Sequence, residues 1–216
     1  MYHPDVGPEA DLAELLVRLE DHLRSFGAPI VDHLRPGLRA DEVRADLQPI
    51  GCEPTPEMLA LWGWHDGTDT IAGSAYPDMG FMCLPGNQLC GKWHLMTVSE
   101  AVGEYRTCVA GSIEPFVHPP ELVPVLHFLD TPVLLQSTGA GVVGRNGRVP
   151  VLVLDPHAGA DEYATPYAPS LTAVIALLVE VFAAGVVVAD NAGGPTFDPV
   201  ELPEPLRSRT AGDPYV

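Results

Sequence analysis

From Leu171 to Ala189 the sequence is almost wholly apolar, and this run constrains the fold more than any other stretch. Its length is close to the ~20 residues that a membrane-spanning helix requires. Glu180 lies in its middle, where an ionisable side chain costs roughly 2.5–3.5 kcal/mol in a bilayer. Gly185 breaks the run, and acids instead of Lys or Arg flank it. A buried helix followed by a short strand accounts for it better than a membrane span. Ser170 suits the N-cap of that helix, and Leu171, Val174, Ile175, Leu178, Val181 and Phe182 form its inward face. With Glu180 as its one charge, the helix is expected to lie buried against a sheet. The chain has 216 residues, 46% of them hydrophobic, which supplies a core of that size within one domain.

The other elements are punctuated by turn and cap residues. Leu12, Leu15, Leu16, Leu19, Leu23 and Phe26 make one apolar stripe, with Pro8 in a first-turn position and Gly27 as the stop. Glu14–Arg18 and Glu20–Arg24 are acid-first i, i+4 pairs along that helix. A short helix over Asp41–Leu47 ends before Pro49. Thr55 caps the next one, with Pro56 at its first position and Glu57 complementing its dipole. Thr97 and Glu100 form a capping box for a helix bearing Val98, Ala101, Val102, Tyr105 and Val109 on one face. Strands are expected over Leu122–Phe128 and Pro132–Ser137, then a hairpin through Asn146-Gly147 into Val149–Leu154. Residues 1–189 read as one domain, and 190–216 as a Pro/Gly-rich tail packed on it or flexible.

Charge is unevenly placed. Asp and Glu number 29 against 11 Lys and Arg, a net charge of −18. Neither Lys nor Arg occurs from Ala45 to Gly91 or from Val149 to Leu206. Nucleic acid and anionic membranes require cationic patches, so both are excluded as partners. A cationic protein fits. Met1, Tyr2, His3, Pro4 and Asp5 have neither the basic nor the apolar region of a signal peptide, and a cytoplasmic location is expected. The four cysteines (Cys52, Cys83, Cys90 and Cys108) have no C-x-x-C spacing and are expected as reduced thiols.

Three catalytic signatures fail on their context. Gly139, Gly141 and Gly144 spell G-x-G-x-x-G, but Asn146-Gly147 and a further strand follow where a dinucleotide-binding fold needs a helix. No G-x-S-x-G nucleophile elbow is present. His65-Asp66 and Asp155 with His157 pair imidazole with carboxylate outside any zinc-hydrolase spacing. The chain is therefore read as a non-enzyme that needs neither cofactor nor metal.

The stretch Ile50, Gly51, Pro54, Pro56, Glu57, Leu61, Trp62, Trp64, His65, Asp66, Gly67 resembles the SMI1/KNR4 signature of the SUKH superfamily. Thr97–Tyr105 resembles that family's next helix, Leu122–Ser137 takes the place of its strand pair, and Ala168, Ser170 and Leu171 that of its last helix start. The family's strand aspartates are missing from Pro132–Ser137, with Asp155 as a stand-in. The resemblance implies an α+β fold, a central mixed and mostly antiparallel sheet flanked by helices. It also implies a bacterial immunity protein that neutralises a toxin, commonly a cationic nuclease, by direct binding. A regulatory scaffold of the same type, or a small-ligand binder, is the alternative. Partner-binding candidates are Trp64, Asp66, Asp69, Asp78, Asp155, Asp161 and Glu162; Pro54, Trp62, Gly67 and Ser170 are expected to be structural.

Overall fold

The computed structural model describes residues 11–69, 93–110, 122–128, 131–137, 151–154, 164–168, 170–189 and 195–196, with residues 201, 203, 204 and 206 near the end. Helix α1 spans Leu12–Phe26. The Asp11 side chain accepts the Ala13 N–H at 3.1 Å, and Gly27 closes the helix at φ 78°. Of the expected stripe, Leu12, Leu15, Leu16, Leu19 and Leu23 are buried and Phe26 is half-buried. Pro8 lies outside the described residues. Helix α2 is Ala40–Leu47 and α3 is Pro56–Trp64, the latter capped by Thr55 through the Met58 N–H at 3.1 Å.

Strand β1 (Trp93–Leu95) precedes α4 (Val98–Ala110). Next come β2 (Leu122–Phe128), β3 (Thr131–Ser137), β4 (Val151–Leu154) and β5 (Ala164–Ala168). Helix α5 is Leu171–Ala183, and a small ribbon pairs β6 (Val188–Ala189) with β7 (Pro195–Thr196). The backbones of β1 to β5 pair in chain order, and each pair is antiparallel. The β2–β3 register slips between Pro124 and Leu126, as befits a proline that has no N–H for the ladder.

The sheet-centred expectation is corrected here. Among the residues whose side chains are described, 66% are helical and 10% lie in strands. No described strand pair is parallel, so the pairing is not mixed. Nor is a sheet central. Strands contribute Leu95, Val123, Val125 and Leu126 to the described core, while α1 alone contributes Leu12, Leu15, Leu16, Leu19 and Leu23, and α5 adds Leu171, Val174, Ile175, Leu178, Val179 and Phe182. The physical reason lies in α5. Among the described elements its main neighbour is α1, and β5 touches it less. His22 stacks on Phe182 at 5.6 Å and Phe26 meets the same ring edge-on at 6.2 Å. One amphipathic helix thus buries the other.

Every inward residue expected on α5 is buried, and Val179 with them. The Ser170 hydroxyl accepts the Ala173 N–H at 3.1 Å. Leu206 reaches back to Val181, so the chain beyond residue 190 touches the body at that point. No described helix is long and apolar enough to cross a membrane. The glycine run Gly139–Gly144 and Asn146-Gly147 lie outside the described residues, but the strands flanking them, β3 and β4, are antiparallel, whereas a dinucleotide-binding unit joins parallel strands.

Candidate functional site

The segment after α3 is where the residues singled out by sequence converge. Leu34 and Thr68 form an antiparallel bridge. Around it, the N–H groups of Arg35, Leu38 and Asp69 donate to the carbonyls of Gly67, Trp62 and His33 at 3.0, 2.9 and 2.8 Å. The stretch 33–38 therefore runs alongside 62–69. Gly37 allows the closest approach, because a Cβ there would run into the Gly63 carbonyl. Gly67 sits at φ 75°, as its turn role requires.

Each aromatic and acid here has an internal partner. Trp62 is fully buried, and its indole N–H donates to the Met96 carbonyl at 2.9 Å. Trp64 is half-buried and donates to Glu20 Oε2 at 3.0 Å. His65 packs edge-on against the Trp64 ring at 4.5 Å. Its Nδ1 lies 2.6 Å from the Arg35 carbonyl, and its Nε2 lies 3.2 Å from Glu20 Oε2. Glu20 thus ties α1 to the end of α3, with Arg24 as a further donor.

Asp66, one of the partner-binding candidates, is buried. Its Oδ1 accepts the Val98 N–H at 2.9 Å, at the first turn of α4, and Arg35 Nε approaches Oδ2 at 3.8 Å. The Thr97–Glu100 capping box completes that helix start, with reciprocal bonds of 2.8 and 3.0 Å. Asp69 is exposed and pairs with Arg35 at 3.2 Å. Asp78, Asp155, Asp161 and Glu162 lie outside the described residues, so of the proposed partner-binding acids only Asp69 is placed on the described surface. Pro54 is buried beside α3, in keeping with a structural part.

Glu57 is the residue that sequence reasoning assigned too narrowly. Its carboxylate reaches the start of α5, accepting the N–H groups of Leu171 and Thr172 at 3.3 and 2.9 Å and the Thr172 hydroxyl at 2.6 Å. A carboxylate at a helix N-terminus satisfies orphan donors and complements the dipole. No local signal announces a cap from so distant a residue.

Burial raises the Glu20 carboxyl, and the Arg24, Trp64 and His65 donors outweigh it, holding the group below its ordinary 4.5. A folded value below the unfolded one means that the stabilisation is complete above the unfolded value and fades as pH falls through the folded one. Replacing Glu20 by alanine should therefore cost on the order of 1 kcal/mol near neutrality, discounted for partial exposure. The difference from the parent should close as pH falls below the ordinary 4.5, as followed by urea midpoints at several pH values. A difference that persists in acid would assign the loss to packing.

Cys52 is buried and Cys108 is half-buried. Burial first, then the charge and hydrogen bond of Glu104, push Cys108 up to about 11, the opposite of what a thiolate nucleophile needs. Among the described residues no group of three or more His, Cys, Asp or Glu side chains is arranged to hold a metal ion. The arrangement is that of a mechanical junction, binding α1, the 33–38 segment, α3 and α4 into one unit. No protein-family model matches the chain, and no curated protein matches it significantly.

Proposed function

We propose that this chain works by binding a cationic protein, in the manner of a cytoplasmic immunity protein that neutralises a toxin. The observation that carries the reading is the segregation of charge. The excess is −18, and the stretches 45–91 and 149–206 hold acids with neither Lys nor Arg. Among the described residues, Arg24, Arg35, Arg39 and Arg44 each face a carboxylate of their own chain, which mutes the few positive charges present. A field of one sign speeds capture of an oppositely charged partner and rejects like-charged ones. The SMI1/KNR4-like stretch Ile50–Gly67 is the second support, and it is a likeness of sequence.

Co-expression with the product of the adjacent gene tests the proposal, scored by rescue of growth and by recovery of a complex. Capture in a pull-down is expected to weaken several-fold between low and high salt, as interactions of exposed charges are screened within about 10 Å at 0.1 M. Binding indifferent to salt would remove the electrostatic basis. Failure of both rescue and capture would remove the immunity reading itself.

A further inference from the structure

Where α1, the 33–38 segment and the end of α3 meet, one side chain makes contacts that depend on how many protons it carries. Both ring nitrogens of His65 face oxygen atoms, Nδ1 the Arg35 carbonyl at 2.6 Å and Nε2 the Glu20 Oε2 at 3.2 Å. A carbonyl only accepts, so Nδ1 carries a proton. A neutral imidazole has no second N–H, and its Nε2 then presents a lone pair.

Glu20 does not supply the missing proton. Its carboxyl is held below its ordinary 4.5, and it already accepts from Arg24 and, through the same Oε2, from the Trp64 indole at 3.0 Å. A bare Nε2 would set two acceptors against each other, whereas a charged ring donates on both edges. Among the described residues, the other charged groups about the ring are Arg24, which pairs with Glu20, and Arg35, whose guanidinium turns to Asp66 and Asp69 at 3.8 and 3.2 Å. Each neighbouring positive charge is thus matched by a carboxylate. The His65 and Glu20 side chains are only 17% and 19% exposed, which limits screening of the pair.

We propose that His65 is a proton-operated latch: the doubly protonated ring ties α1 and the 33–38 segment to the end of α3, and loss of the Nε2 proton opens the Glu20 side while the Arg35 side stays closed. The latch holds whatever the chain binds. A contact made only by the charged ring stabilises the fold while the ring is charged, and fades as pH rises through its titration. Glu20 sets the acid limit with the opposite sign, so the junction is tightest between the two titrations. Trp64, which packs edge-on against the ring and shares Glu20, is the half-buried side chain that the release leaves with fewer restraints.

The test is urea unfolding of the full chain and of His65→Gln in steps between about pH 5 and about pH 9, a range that brackets histidine titration. Comparing the two cancels the other histidines, which both proteins share. The unfolding constant of the variant relative to the parent should fall about three- to tenfold across that range, the size of a partly exposed charge-assisted bond. A ratio that stays level, or rises, overturns the latch, since the neutral ring then holds the junction equally well. Glu20→Gln is the second arm. Its amide donates to a bare nitrogen as readily as it accepts from an N–H, so in that background the same ratio should change by less than about twofold. A change that persists there assigns the dependence to an acceptor other than Glu20 and overturns the pairing. Ring nitrogen spectra of the parent decide the matter without a variant: above the titration the remaining proton is expected on Nδ1, and a proton found on Nε2 overturns the arrangement.

Discussion

Gly67→Ala is expected to lower the unfolding free energy by about 2–5 kcal/mol, made up of two separable costs. Gly67 has φ 75°, and an L-residue in that left-handed region pays roughly 1–2 kcal/mol. A Cβ there would also lie 2.5 Å from the Thr97 nitrogen and 2.6 Å from its Cγ2, an overpacking of the kind that costs typically ~1–3 kcal/mol. Gly27 isolates the first cost. It has nearly the same φ, 78°, but nothing lies within 4 Å of its virtual Cβ, so Gly27→Ala should lose only about 1–2 kcal/mol. Urea unfolding of the two variants side by side measures the difference. In thermal melts a loss at the upper end corresponds to a fall on the order of 10 °C for a chain of this size. Equal losses at the two sites would mean that the approach to Thr97 relaxes without cost, and that the junction is looser than its distances indicate.

The contrast between these glycines also marks how far the sequence could be read. Gly27 and Gly67 both advertise a helix end or turn, and both have positive φ. That Gly67 also has no room for a methyl depends on Thr97, thirty positions away, and composition carries no trace of it. Local signals at helix starts fared well: the Thr55 and Ser170 caps, the Thr97–Glu100 box and the α1 stripe are where the residue spacing puts them, whereas Val109, expected on the same face of α4 as Val98, is exposed. Each is decided within one or two turns of chain, where propensity and hydrogen bonding act directly. What was not legible was which surfaces meet. The apolar face of α5 was correctly identified, but its residues do not say whether a sheet or a second helix packs on them, and among the described elements α1 does so most. Asp66 and Glu57 show the same limit for polar groups. An acid that caps another element looks, in sequence, like any solvated acid, and its burial is fixed by tertiary packing alone.

Trp62 and Trp64 lie two positions apart in the motif that suggested a family, yet should differ sharply on substitution. Trp62 is fully buried in the described core, so Trp62→Ala opens a large cavity, for which about 3–5 kcal/mol is typical. It also takes the indole donor from the Met96 carbonyl, and an acceptor left buried without a partner costs about 1–3 kcal/mol. Trp62→Phe separates the two, keeping most of the ring volume while losing that donor, and should cost about 2 kcal/mol. Trp64→Phe loses an N–H as well, but its acceptor, Glu20, still has Arg24 and His65, so the expected loss is below about 1 kcal/mol. Urea unfolding of the three variants checks the order, and a Trp64→Phe loss equal to that of Trp62→Phe would show that the Glu20 link has no spare donors. The same variants bear on partner capture. Because Trp64 is tied to Glu20 yet half-exposed, Trp64→Phe can be assayed in a protein that stays folded. Weakened capture at unchanged stability would place Trp64 on the binding surface, and unchanged capture would confine it to joining α1 to α3.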